Sequence, residues 1–138
     1  MWIYRGKEIR SHADLHPDCT HIVYLITYQN GRFYAGKKTV KSLRRLKPTK
    51  KQLAIRKNYK RVELKELPFI DYKGSHNTDA LEIIKKKEIL YQCSNARTAT
   101  YLETEYLFEI NAIFNDQYLN KNIGGLYFSN ALDGLINE

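Results

Sequence analysis

Apolar residues in this chain gather into short runs whose spacing marks out strands first and a long helix later. The run Ile22-Val23-Tyr24-Leu25-Ile26-Thr27 is almost wholly β-branched or aromatic, and Phe33-Tyr34-Ala35-Gly36 follows a polar break at Asn30-Gly31. Asn-Gly between two such runs is a strong hairpin sign, because a type I′ turn needs positive φ at both central residues. Residues 22–36 therefore predict two antiparallel strands that bring Tyr24 near Tyr34, with Gly36 letting the backbone bend directly afterwards. Trp2-Ile3-Tyr4, Arg5-Gly6-Lys7 and Glu8-Ile9 predict a smaller hairpin whose aromatic residues cover an edge or face of the sheet.

Lys85 to Cys93 predicts a third principal strand with Ile89, Leu90 and Tyr91 buried. Ser94-Asn95 then caps a helix, and from Ala96 to about Phe114 the residues Ala99, Leu102, Tyr106, Ile110 and Ile113 recur at helical spacing. Glu103 falls inside that apolar stripe, whereas Glu105 and Glu109 flank it. A carboxylate among core residues loses much of its hydration, so Glu103 needs either a cationic partner or a metal ion. Between hairpin and third strand, Thr39 to Leu46 predicts one or two helical turns before Pro48, and Thr49 caps a second short helix through Leu53 to about Tyr59. Residues 77–84 leave room for about two turns, and Ser129 opens a last short helix over 129–136 after the Gly124-Gly125 break. The class expected is α+β: a small central antiparallel β-sheet, three main strands plus the N-terminal hairpin, flanked by helices.

Charge changes the picture more than length does. One hundred and thirty-eight residues suit a single domain, long enough to bury about two thirds of its unfolded surface. The net charge of +8 points to a polyanionic partner, since each phosphate neutralised by Lys or Arg releases counterions. Twelve of the twenty-five residues from 37 to 61 are Lys or Arg. A charge run is by default a solvated face, but this one follows directly on the hairpin end, which favours contact with a phosphate backbone. His12, Asp14, His16 and Asp18 alternate as metal ligands can, but in a loop with Pro17 they lack a fixed scaffold. Cys19 and Cys93 have no partner at metal-ligand spacing. Charges occupy the first ten residues where a signal peptide needs an apolar run, and no membrane-spanning stretch occurs. The cytoplasm, here that of a bacterial host cell, is the expected compartment.

Ile22-Val23-Tyr24 and Tyr34-Ala35-Gly36 lie about ten residues apart on neighbouring strands, and in this they resemble the two name motifs of the GIY-YIG nuclease superfamily. Tyr24, Tyr34 and Gly36 carry the likeness, while Ile22 and Ala35 depart from the motif letters. Glu66 to Ser75, ELPFIDYKGS, is similar to a segment of the phage and homing-endonuclease branch, matching at Glu66, Phe69, Asp71, Tyr72, Gly74 and Ser75. The resemblance implies a nuclease core over residues 20–122, preceded by a hairpin and loop at 1–19 and followed by a cap at 123–138. It also implies an arginine on the first helix, which falls on Arg44 with Arg45 as the neighbour. The family's metal-binding glutamate falls on Glu103, with Glu105 as fallback, and its late asparagine on Asn120.

The activity so implied is metal-dependent hydrolysis of DNA phosphodiesters, nicking or cutting both strands, in a phage or mobile-element setting. Mg²⁺ or Mn²⁺ would bind Glu103 through oxygen. Tyr24 would take the proton from the attacking water. A phenol with an ordinary pKa of about 10 is a poor base at neutral pH, so Lys37 would lower it. Tyr34 would orient water or phosphate, and Arg44 would stabilise charge developing on the phosphate. Lys37, Lys38, Lys41, Arg44, Arg45, Tyr72, Ser75, His76 and Asn120 would contact double-stranded DNA, with a homodimer or a partner protein as further company and no membrane. The rival expectation is a catalytically inactive DNA-binding or partner-binding module on the same fold, favoured by Ile22 in place of the motif glycine and by the short segment after Ser75.

Overall fold

The β-branched and aromatic run from 21 to 28 becomes the strand against which the molecule packs on both faces. The computed structural model describes residues 1–74, 83–134 and 136. In chain order these form β1 (Trp2–Tyr4), β2 (Lys7–Ile9), β3 (His21–Tyr28), β4 (Phe33–Thr39), β5 (Lys41–Leu46), α1 (Lys50–Ile55), β6 (Arg61–Glu66), β7 (Ile84–Cys93), α2 (Ala96–Glu109), β8 (Asn122–Ile123) and β9 (Tyr127–Phe128). Five strands make one sheet in the order β2-β1-β7-β3-β4. Alternation along β3 sends Ile22, Tyr24, Ile26 and Tyr28 into a core with Trp2 and Phe69. Val23 joins Ala99 of α2 on the opposite side, where Ala35 meets Leu107.

The α+β class holds, but the sheet is mixed rather than antiparallel. β1 runs parallel to β7, while β3 is antiparallel to both β4 and β7. Strand direction there depends on how the N-terminal hairpin docks, with Trp2 carried into the core and its Nε1 donating to the Phe69 carbonyl at 2.9 Å. The central hairpin also closes differently from expectation. Gly31 alone has positive φ, at 83°; the loop has three residues, with Gly31 donating to the Tyr28 carbonyl and Tyr28 to that of Arg32. This is a type I turn with a left-handed glycine, which Asn30 supports by accepting from the Arg32 amide at 3.0 Å.

Thr39 to Leu46 is not helical. After β4 the chain continues as β5, which pairs antiparallel with β6 in a separate two-stranded ribbon. Leu43 faces Leu64, Arg45 faces Val62 and Arg44 faces Glu63. Such apolar and opposite-charge cross-strand pairs reward the extended form, whereas one or two turns of isolated helix cannot repay their nucleation. Thr49 does cap a helix, in a reciprocal capping box with Gln52, but α1 ends at Ile55. No residue between 41 and 66 is buried, so the ribbon and its tip form an arm standing off the core. His12 grips the arm's base: its Nε2 lies 2.9 Å from the carbonyl oxygens of both Val40 and Leu67.

The long helix starts where expected, with Asn95 accepting from the Thr98 amide, and stops at Glu109, five residues early. Asn111 adopts a left-handed conformation and a 3₁₀ turn follows at 112–114. In β7, Ile89 is buried and Leu90 half-buried, but Tyr91 is exposed. The register with β3 shifts between Val23 and Tyr24, so Leu90 and Tyr91 crowd opposite Val23 and only one of them packs inward. Residues 129–131 form a 3₁₀ turn on the surface, and Ser129 lies inside it instead of capping a helix. The turns expected over 77–84 fall largely outside the described residues. Among the described residues no helix is long and apolar enough to cross a membrane.

Trp2 ties β1 to both β3 and the 69–74 segment, so its loss reaches the whole sheet. Trp2→Ala should lower the unfolding free energy by about 3–5 kcal/mol, and Trp2→Phe by about 1–3 kcal/mol because the Phe69 carbonyl loses its donor. Urea denaturation followed by circular dichroism measures both.

Candidate active site

Strand β4 is an edge strand, and the candidate site is built around its middle. The register sets Tyr24 opposite Gly36, Val23 opposite Lys37 and Ile22 opposite Lys38. Tyr34 is diagonal to Tyr24, with ring centroids 6.3 Å apart. A Cβ placed at residue 36 would lie 2.5 Å from the Tyr24 hydroxyl oxygen and 2.8 Å from its ring carbon. Glycine is therefore required there for the close approach of a phenol to the strand. The Tyr24 side chain is fully buried, edge-on to Trp2 at 5.4 Å and to Tyr72 at 5.7 Å. Its hydroxyl reaches that of Tyr72 at 3.5 Å, and the Lys38 ammonium stands 4.7 Å above the Tyr72 ring.

Lys87 fixes this aromatic group from below. It is buried, donates to the carbonyls of Ile70 and Tyr72, and lies 4.6 Å from the Trp2 ring. Burial pushes its pKa down, against the pull of Asp71. Sequence reasoning missed it, because the Lys85-Lys86-Lys87 run reads as a solvated strand end. The available signal was parity, since Lys87 is two residues before the buried Ile89 and shares its face.

On the helix side of β4, a cleft of about 240 Å³ is lined by Tyr34, Gly36, Lys37, Glu103, Asn120 and Asn122, among others. Glu103 projects from the inward face of α2 and is half-buried. Burial pushes its pKa up, and the nearby Lys37 charge acts the other way. Lys37 donates to the Thr100 hydroxyl at 2.5 Å, one helical turn before Glu103. Asn120 bridges to the edge of β4: its Oδ1 accepts from the Ala35 amide at 3.1 Å and its Nδ2 donates to the Ala35 carbonyl at 2.7 Å. The amide of Asn120 is thus engaged in holding the Tyr34-Ala35-Gly36 segment.

Tyr34, Lys37, Glu103 and Asn120 therefore line one cleft, but the Tyr34 ring packs with Tyr24 on the opposite face of the strand, where Tyr24 lies against Gly36. Arg44 and Arg45 do not join them; both are exposed on the strand β5, so the first-helix arginine has no helix to stand on. Lys41 is at the arm's base, donating to the Pro17 carbonyl at 3.4 Å. Glu105 borders a different groove with Tyr101 and Phe108. Ser75 and His76 fall outside the described residues. Among the described residues no group of three or more His, Cys, Asp or Glu side chains could hold a metal; in the 11–20 loop, His12 is engaged with the arm's base and Asp14 with the backbone of Arg10 and Ser11.

A family model described as "Putative endonuclease segE, GIY-YIG domain" matches residues 2–123. The chain belongs to this GIY-YIG family. No curated protein and no solved structure gives a significant match. The match runs through the N-terminal hairpin, the arm, the cleft and α2, so the GIY-YIG domain includes every element just described up to Ile123. Membership supports a nuclease function and DNA as the substrate class.

The raised pKa of Glu103 has a stability consequence. Between the ordinary glutamate value and the raised one, the unfolded chain releases a proton that the fold retains, so stability falls as pH climbs through that window. Glu103→Gln removes the ionisation. Its melting temperature should exceed the native one at pH 7.5, and the gap should close toward pH 4; an equal or lower midpoint at pH 7.5 would mean that the carboxylate is fully compensated in the fold.

Proposed function

We propose that this GIY-YIG domain is a metal-dependent DNA endonuclease whose reaction takes place in the cleft beside Gly36. The observation that carries the reading is the convergence of Glu103, Lys37, Tyr34 and Asn120 at an edge strand, in a chain of an endonuclease family. Glu103 fits a hard divalent ion. It is a single, half-buried carboxylate at an open polar cleft, and Mg²⁺ typically keeps several waters and takes only one or two carboxylates beside substrate phosphate. When bound, Mg²⁺ or Mn²⁺ supplies charge to the phosphate and to the leaving 3′ oxygen.

The protein's own groups divide the remaining work. Lys37 places a fixed cation at the mouth of the cleft, where an approaching phosphodiester brings negative charge. Tyr34 borders the cleft and orients the water or the phosphate. Tyr24 is assigned the proton of the attacking water, a transfer that requires its fully buried hydroxyl, packed against the Gly36 backbone on the other face of the strand, to gain access to the cleft. Asn120 keeps the Tyr34-Gly36 segment in place through Ala35. Arg44 and Arg45, away from the cleft, serve duplex binding. One cleft attacks one phosphodiester, so a lone chain nicks, and a double-strand break requires a second copy. A phage or mobile element is the setting that the family suggests.

Supercoiled plasmid tests the reading directly. The native chain should nick it with Mg²⁺ and stop when EDTA is added; Glu103→Gln should lose at least about 100-fold in rate while retaining duplex affinity. Mg²⁺ should also raise the melting temperature of the native chain and not that of the variant. Absence of cleavage with intact DNA binding would identify a non-catalytic binding module instead. Tyr24→Phe, which keeps the ring against Gly36, should cut the rate by about 10²–10⁴ without changing duplex affinity; a larger loss in Tyr34→Phe would hand the proton to Tyr34.

A further inference from the structure

The basic charge of this protein is not spread over it. Residues 41–66 hold eleven Lys and Arg against two Glu, whereas the other 112 residues hold twelve basic and thirteen acidic side chains. The arm therefore carries the whole excess of positive charge, and the body that contains the cleft is close to neutral.

Within the arm the exposed apolar side chains of the ribbon gather on one face, which also carries Arg45 and the Lys41–Glu66 pair, while Leu46 opposite Arg61 lies on the other. Cross-strand register puts Leu43 with Leu64 and Arg45 with Val62 on one face of the ribbon. Leu43 is 72% exposed, Leu64 55% and Val62 46%. The opposite face pairs Arg44 with Glu63 and Ser42 with Lys65. The tip, residues 47–60, has six basic side chains and no acidic one.

An exposed apolar strip on an ordinary soluble surface is a liability, and here it is flanked by concentrated positive charge. Hydrophobic partners of protein character would not call for such charge; a polyanion that also offers apolar contacts would. Duplex DNA does both, through its phosphates and through thymine methyl groups in the major groove, which admits a two-stranded β-ribbon. Six paired residues span about 20 Å, or about six base-pair steps.

We propose that the arm is a DNA-reading element separate from the cleft. The ribbon lies in the major groove with Leu43, Arg45, Val62 and Leu64 facing base edges, and the tip holds the flanking phosphates. This rests on the reading of the chain as a DNA-cleaving domain, but it is tested by binding. His12, clamped between Val40 and Leu67 at the arm's base, fixes the arm's direction relative to the cleft.

The test uses the full chain and a fluorescent 30-base-pair duplex in EDTA, with anisotropy measured across NaCl concentrations. The triple variant Lys47→Gln/Lys50→Gln/Lys51→Gln should bind at least tenfold more weakly at 0.1 M salt, and the slope of log K against log salt should shrink by about two to three. Leu43→Ser/Leu64→Ser should keep the salt slope and lose preference among cut sites, read by sequencing the ends left on a plasmid. A shortened chain in which Asn-Gly joins Ser42 to Lys65, paired residues in the register, should still show the Mg²⁺-dependent rise in melting temperature while losing duplex affinity. Native binding that none of these variants alters would overturn the arm's role and leave the nuclease reading standing. Failure of the native chain to bind the duplex at all would overturn both.

Discussion

A phenol ring lying directly against backbone, with no side chain between, is the contact on which the rest of this structure depends. Tyr24 is packed over Gly36 so closely that a single methyl group at residue 36 would overlap its hydroxyl. That contact orders the core side of the sheet, because Trp2, Tyr34 and Tyr72 all arrange their rings around Tyr24. The same glycine lines the cleft on the other side of the strand, beside Lys37, Glu103 and Asn120. Interiors packed at crystal-like density have little room to absorb an extra carbon, so both faces would shift together.

A buried ammonium and a half-buried carboxylate frame the site and are handled in opposite ways. Lys87 is satisfied: its ammonium meets two carbonyl oxygens and the face of an indole, and it anchors the 69–74 segment against Tyr24. Glu103 is only partly compensated, with Lys37 nearby and its pKa raised by burial. A satisfied charge rigidifies its surroundings. An undercompensated one at an open cleft destabilises the fold once it is ionised.

Body and arm divide the remaining physics. The body gains its order from apolar layers on both faces of β3. The arm has no buried residue and is held by ladder bonds, cross-strand pairs and the His12 clamp at its root. Placing the whole excess of positive charge on the arm keeps self-repulsion out of the packed body.

Much of this was legible in the residues themselves. The two hairpins, the start of α2 at Asn95, the placement of Glu103 on an inward face and the nearness of Tyr24 to Tyr34 follow from periods of two and 3.6 and from cap and turn chemistry, which act over a few residues. What the sequence alone left undecided, or placed wrongly, depended on partners far along the chain. Residues 41–46 are extended because 61–66 pair with them; β1 is parallel because of where Trp2 docks; Lys87 is buried because Ile70 and Tyr72 offer carbonyls to it; and Asn120 joins the site by bonding to Ala35, eighty-five residues away. Local periodicity cannot encode such choices, since each is settled by a non-local pairing whose free energy outweighs the propensity of the segment that makes it.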